Sequence, residues 1–118
     1  MGDRLIVGNG WETIMAYHKY SAIKTVVDGI TFDSKREAAR YGYLKIRFRA
    51  GEIRDLVLQP SWEIVINSRK VCKYIADFMY RENGVVVIED VKGMKTPLYN
   101  LKKKLMLAVH GIVITEVK

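Results

Sequence analysis

Apolar and polar positions change period along the chain, and the changes mark its elements. The run Lys24-Thr25-Val26-Val27-Asp28-Gly29-Ile30-Thr31-Phe32 sets Asp-Gly between β-branched residues. This predicts a β-hairpin, because Asp-Gly accepts the left-handed backbone of a tight turn. The period then becomes helical. Ser34-Lys35-Arg36-Glu37 has the form of a capping box, Tyr41, Leu44 and Phe48 recur on one helical face, and Gly51 marks the stop. Ile53 to Leu58 reads as a strand that Gln59-Pro60 interrupts, and Trp62 to Ile66 as another strand or its continuation. Val71 to Tyr80 is strand-like, Glu82-Asn83-Gly84 is a turn, and Val85 to Val91 is a β-branched strand. Thr96-Pro97 opens a second helix, with Thr as N-cap and Pro at the first helical position. Its apolar stripe is Leu98, Leu101, Leu105 and Val109; Gly111 ends it, and Ile112 to Val117 is a last strand. Residues 1–20 carry the least signal: Gly8-Asn9-Gly10 breaks the chain, and the stretch after it reads as a short helix or an arm.

The core order is helix, three strands, helix, strand. Consecutive hairpins make the central strands antiparallel, and the crossover through the second helix brings the last strand in parallel to a neighbour. The expectation is an α/β fold with an αβββαβ core and a mixed central sheet. A chain of 118 residues fits one domain. We expect residues 1–118 to form it, with an arm and hairpin over 1–30 and the core over 31–118.

Composition narrows the function classes. No apolar run approaches the ~20 residues of a membrane span, and the N-terminus is a poor signal peptide. Cys72 is the only cysteine, so neither an internal disulfide nor a Cys/His zinc cluster is expected. A cytoplasmic place and no organic cofactor are the resulting expectations. The net charge of +7 and pI near 9.6 favour a polyanion partner, since neutralising phosphates releases condensed counterions.

Chemistry concentrates in Tyr74-Ile75-Ala76-Asp77-Phe78-Met79-Tyr80 and Val85-Val86-Val87-Ile88-Glu89-Asp90-Val91-Lys92. With Asn83-Gly84 as a two-residue turn, Glu82 pairs with Val85, and counting outward puts Asp77 opposite Asp90. Directly opposed residues point to one face with Cβ atoms only ~4.5–5.5 Å apart, so two like charges there call for a cation or a raised pKa. Lys92, two residues after Asp90, shares that face. Two carboxylates and an ammonium suit phosphodiester cleavage. Mg²⁺, or Mn²⁺ in its place, takes one or two carboxylates plus substrate phosphate, polarises the phosphate and activates a bound water. The lysine positions that water or stabilises the charge that develops. A one-residue slip in register would separate the aspartates. The alternative is then an Asp at a strand edge and a solvated Asp-Lys pair. Glu37 falls in the middle of the Tyr41, Leu44, Phe48 stripe, where an unpaired charge is expensive. It is either a capping residue or a third carboxylate reaching over the hairpin.

These residues carry a resemblance. The helix with Glu37, then Asp77, then Asp90-Val91-Lys92, then a helix and strand, resembles the PD-(D/E)XK nuclease superfamily, whose core order is αβββαβ. The strings Asp28-Gly29-Ile30-Thr31-Phe32-Asp33-Ser34-Lys35-Arg36-Glu37-Ala38, Tyr74 to Phe78 and Val87 to Gly93 resemble more closely a phage-encoded family of small proteins of that superfamily. The match runs from about residue 19 to the C-terminus. The resemblance implies a restriction-endonuclease-like fold, with Asp77, Asp90 and Glu37 as acidic metal-binding residues and Lys92 as the catalytic lysine. Ala76 stands where the motif name has Pro, and Asp90 takes the Asp option, with Glu89 beside it as an alternative ligand if the strand is bulged.

The implied function is a Mg²⁺-dependent endodeoxyribonuclease in a phage-infected bacterial cell, resolving Holliday junctions or other branched DNA. Cutting both strands of a junction calls for two sites, hence a homodimer. The expected DNA contacts are Lys95 and Thr96 at a helix N-terminus, Gln59 near the catalytic hairpin, and Lys102 and Lys103 of the basic run, which otherwise reads as a solvated helix face. Trp11, Trp62 and the tyrosines either stack on bases or fill the core. His18 and His110 lack acid–base partners in sequence and read as structural. The rival readings are a nucleic-acid-binding protein without cleavage, an RNA-cutting enzyme, and a nuclease subunit of a larger complex. Opposed aspartates argue against the first, because phosphate binding gains nothing from them.

Overall fold

A computed structural model describes residues 5–7 and 24–118 of the chain. Its elements are β1 (Leu5–Val7), β2 (Thr25–Val27), β3 (Ile30–Phe32), α1 (Lys35–Arg49), β4 (Arg54–Leu58), β5 (Ser61–Ile66), β6 (Arg69–Ile75), β7 (Phe78–Glu82), β8 (Val85–Val91), α2 (Pro97–His110) and β9 (Thr115–Val117). The central sheet runs β1-β4-β7-β8-β9. β7 is antiparallel to both β4 and β8, whereas β9 joins β8 in parallel and β1 joins β4 in parallel. The protein is therefore mixed α/β, with a mixed sheet, as its hydrophobic patterning predicts. The expectations for Gly8-Asn9-Gly10, Trp11 and His18 lie outside the described residues.

Local chemistry explains the turns and caps. Asp28 and Gly29 both take positive φ, 54° and 73°, between β2 and β3, and Asn83 (52°) and Gly84 (77°) do the same between β7 and β8. Two left-handed residues in succession give the turn whose twist matches paired strands. Ser34 caps α1, its hydroxyl accepting the Glu37 amide at 3.2 Å. Thr96 caps α2 in the same way through the Tyr99 amide at 3.1 Å. Gly111, at φ 67°, closes α2.

Two hydrophobic clusters occupy opposite faces of the sheet. Under α1 lie Phe32, Tyr41, Leu44, Leu56, Leu58, Phe78 and Tyr80. Under α2 and the β5–β6 hairpin lie Ile64, Tyr74, Ala76, Ile88, Met106 and Ile114. The segment expected as one strand over Val71 to Tyr80 is two strands of different sheets. Tyr74 and Ala76 belong to the α2 cluster and Phe78 and Tyr80 to the α1 cluster. In one continuous strand these four would share a face, so the chain flips at Asp77. The Gln59 amide donates to the Asp77 carbonyl at 2.9 Å, and the Ala76 amide to the Pro60 carbonyl at 3.0 Å. Both crossings between the sheets are thus tied together, and Trp62 to Ile66 is a separate strand paired with β6.

The face of α2 differs from the expected one. Tyr99 and Met106 are its buried residues, while Leu98 and Leu101 are 60% and 53% exposed and Val109 is exposed as well. Only Leu105 of the expected stripe packs at the edge of the cluster. Tyr99, Lys102 and Met106 share the inner face instead. The Lys102 stem crosses the packed surface and its ammonium donates to the Lys73 carbonyl at 2.8 Å, so a lysine serves where a leucine was expected. The last strand is also shorter than Ile112 to Val117, since only Thr115–Val117 pairs. Among the described residues no helix is long and apolar enough to cross a membrane.

Candidate functional site

The β7–β8 register is the one counted from the turn: Glu82 with Val85, Tyr80 with Val87, Phe78 with Glu89. Asp77 lies just before β7, outside this pairing. Its amide bonds to Glu89, the residue that already faces Phe78, so the regular register is not carried on to a squarely opposed Asp77 and Asp90. Two bonds hold Asp77 against the end of β8. Its amide donates to the Glu89 carbonyl at 3.1 Å, and its Oδ2 accepts the Val91 amide at 2.7 Å. Oδ1 is left for another partner.

Asp90 is almost fully buried, at 1% exposure. The Tyr74 hydroxyl donates to its Oδ2, and the Lys92 ammonium stands 3.6 Å from its Oδ1. Lys92 is held twice more: its amide donates to the Val117 carbonyl at 2.8 Å, and its ammonium lies 4.3 Å from the centroid of the Tyr99 ring, within cation–π range. Tyr99 is anchored in turn by donating to Glu116 Oε2 at 2.8 Å.

Electrostatics tie Glu37 to this pair. Burial, then the charges of Asp77, Asp33 and Asp90, push its carboxyl up to about 8, against Lys92. Burial likewise raises Asp77 to about 6, opposed by the Val91 amide and by Lys92. Burial raises Asp90 to about 7, opposed by Lys92. Three acids from α1, the β6–β7 junction and β8 thus disfavour their own ionisation, and one ammonium eases all three. Such shifts favour binding of a cation, which would relieve the repulsion among the ionised acids.

Glu89 plays a different part. β8 pairs with β7 without a bulge, so Glu89 points to the α1 face. There Arg40 donates to both its oxygens, Nε to Oε1 at 2.9 Å and Nη2 to Oε2 at 2.7 Å, and the Tyr80 hydroxyl donates to Oε2. Glu89 is a structural anion on the far side of the sheet from Asp90.

Among the described residues no three His, Cys, Asp or Glu side chains stand close enough to hold a metal ion as they are. The donor chemistry still fits Mg²⁺, which needs only one or two carboxylates and takes its remaining oxygens from water and phosphate. Asp77 and Asp90 are the two carboxylates here that could serve. Nearby, Gln59, whose amide bonds to Asp77, has its side-chain oxygen buried with no hydrogen-bond partner. Its backbone is also left-handed, at φ 54°.

The other expected DNA contacts are engaged by the protein. Lys95 and Lys103 both pair with Glu116, at 2.9 and 3.1 Å. With Tyr99 they hold its carboxyl down to about 2. Lys102 serves Lys73 and Thr96 caps α2. His110 Nε2 lies 2.9 Å from the Glu63 carbonyl, a structural role, and Trp62 stacks on Tyr74 with centroids 6.4 Å apart.

Sequence reasoning missed Asp33, Tyr74 and Tyr99. Asp33 is buried beside Lys24, at 3.5 Å, and its charge raises both Glu37 and Asp77. Its only signal is its place between a buried Phe32 and the cap of α1. Tyr74 and Tyr99 reach the site from another sheet and from α2, which no spacing along the β7–β8 hairpin reveals.

No curated protein and no solved structure matches the chain. A family model described as protein of unknown function (DUF1064) matches residues 17–114, a span that includes Glu37, Asp77, Asp90 and Lys92. The chain therefore belongs to the DUF1064 family.

Proposed function

We propose that this protein is a Mg²⁺-dependent endonuclease that hydrolyses DNA phosphodiester bonds. The observation that carries the reading is the meeting of Asp77, Asp90 and Lys92 where β7 begins and β8 ends, with Lys92 3.6 Å from Asp90. The order α1, β4, β7, β8, α2, β9, with the β5–β6 hairpin set aside, supports a restriction-endonuclease-like αβββαβ core.

Asp77 Oδ1 and Asp90 would hold the ion, with Glu37 beside them. The bound ion would polarise the scissile phosphate and lower the pKa of a coordinated water. Lys92 supplies a fixed ammonium at the place where negative charge grows in the transition state, and Tyr99 keeps it aimed. Glu37, raised to about 8, is matched to exchanging a proton near neutral pH. Buried walls from Tyr74 and Val91 exclude bulk water and strengthen these charges.

One such site cuts one strand, so action on a four-way junction requires a homodimer. The test is to incubate purified protein with linear, nicked and four-way DNA in Mg²⁺, Mn²⁺ or chelator. The reading expects cutting of at least one form with metal only. Equal cutting in chelator, or none under any condition, contradicts it.

A further inference from the structure

We infer that Arg36, lying on Gly93, forms a phosphate-binding subsite for the DNA backbone next to the Asp77, Asp90 and Lys92 centre; the inference rests on the nuclease reading above. Arg36 immediately precedes Glu37, and Gly93 immediately follows Lys92. A Cβ on Gly93 would stand 2.5 Å from Arg36 Nη1, 3.3 Å from Cζ and 3.8 Å from Nη2. The guanidinium thus occupies space that only glycine leaves open, and it joins the start of α1 to the end of β8 from outside.

Charge pairing sets Arg36 apart from the lysines around the site. Lys92, Lys95 and Lys103 face carboxylates, and Lys102 donates to a carbonyl. Among the described residues, Lys35 and Arg36 join no salt bridge. Both are exposed, and they line one groove with Ser34, Val91 and Gly93. Its floor, Val91, is the residue whose amide binds Asp77. A planar fork of unpaired donors one residue beyond the site lysine suits the oxygens of a phosphodiester. The net charge of +7 suits the polyanion to which that group belongs. The groove therefore carries the phosphate next to the one that is cut.

Gly93→Ala gives a clean test, because the group it displaces is the far end of a flexible, exposed side chain, which can swing away at little cost to folding. Binding of a fluorescent DNA duplex, and of an RNA of the same sequence, is measured by anisotropy across NaCl concentrations. Ca²⁺ replaces Mg²⁺ so that nothing is cut. Arg36→Ala and Gly93→Ala should each weaken DNA binding about tenfold, the effect of one charge-assisted contact. Each should reduce the salt slope by about one, with melting temperatures unchanged, and the double variant should be no weaker than either single one. If wild type binds and cuts DNA but the single variants bind with unchanged affinity and slope, the subsite is wrong and the nuclease reading stands. If wild type neither binds nor cuts DNA, both fail. Loss of affinity for RNA alone overturns the DNA assignment.

Discussion

Asp77 accepts the amide of Val91 at 2.7 Å, so the first candidate metal ligand also pins the strand that carries the second. Its two oxygens are distinct: Oδ2 holds β8 in place, and Oδ1 is the one left for the proposed metal. Asn at this position keeps an acceptor for the Val91 amide while losing the charge; Ala loses both. Asp77→Ala should therefore be less stable than Asp77→Asn by ~1–3 kcal/mol, the cost of an orphaned buried donor. Chelator-treated samples unfolded in urea would show the difference, and equal midpoints would mean that the bond to Val91 contributes nothing.

The raised acids make the metal-free fold depend on pH in an unusual direction. Glu37, Asp77 and Asp90 ionise in the folded state near 8, 6 and 7, well above their unfolded values. Between about pH 4 and pH 8 the folded state binds more protons than the unfolded chain, so stability falls as pH rises through that window. In chelator the melting temperature should be higher at pH 5.5 than at pH 8. Mg²⁺ or Mn²⁺, binding the ionised carboxylates of the native state, should raise the pH 8 value most. A metal-free protein that grows more stable from pH 5.5 to 8 would contradict the description of this cluster.

Adjacent acids on β8 should behave as opposites. Glu89→Gln leaves the Arg40 guanidinium without its anion. It should cost roughly 3 kcal/mol, the low end for a broken buried pair because Arg40 keeps some contact with solvent. The metal-induced rise in melting temperature should survive it. Asp90→Asn should lose that rise with little loss of stability in chelator. The reverse pattern would make Glu89 the ligand.

Two substitutions report the rotation of α2. Met106, fully buried, should cost ~2–5 kcal/mol on change to Ala. Leu101→Ala, at a half-exposed position, should stay within about 0.5 kcal/mol. Similar losses at both positions, by urea unfolding, would restore the leucine stripe as the inner face.

How much the sequence reveals depends on how local each feature is. Asn83-Gly84 dictates its turn and the turn dictates the register as far as Phe78 and Glu89; both links are local, whereas Asp77, one residue further, bonds to Glu89 instead of continuing that register to Asp90. The Asp28-Gly29 hairpin and the Ser34 and Thr96 caps are legible for the same reason. The flip at Asp77 is not, because Tyr74, Ala76, Phe78 and Tyr80 present one unbroken alternation and only tertiary contacts assign them to opposite faces. The inner face of α2 is hidden by composition: its leucines advertise a core, but Tyr99 and Met106, with a lysine between them, are the residues that fit the surface beneath. β1 carries three apolar residues, too few for a period, and its pairing with β4 is remote in sequence. The cations at Lys95, Lys102 and Lys103 look free in sequence because Glu116 and Lys73, which engage them, lie on other elements.

The central claim is tested most directly by comparing wild type and Lys92→Ala on four-way, nicked and linear DNA, with melting curves of both proteins in the same buffers. Wild type should cut in Mg²⁺ or Mn²⁺ and not in chelator. Lys92→Ala should lose roughly 10²–10³-fold in cleavage rate, the scale of one electrostatic stabiliser of the transition state. It should keep the metal-induced rise in melting temperature, because an ammonium is not a metal ligand. Cleavage by Lys92→Ala at the wild-type rate, or cleavage by wild type in chelator, would contradict the account.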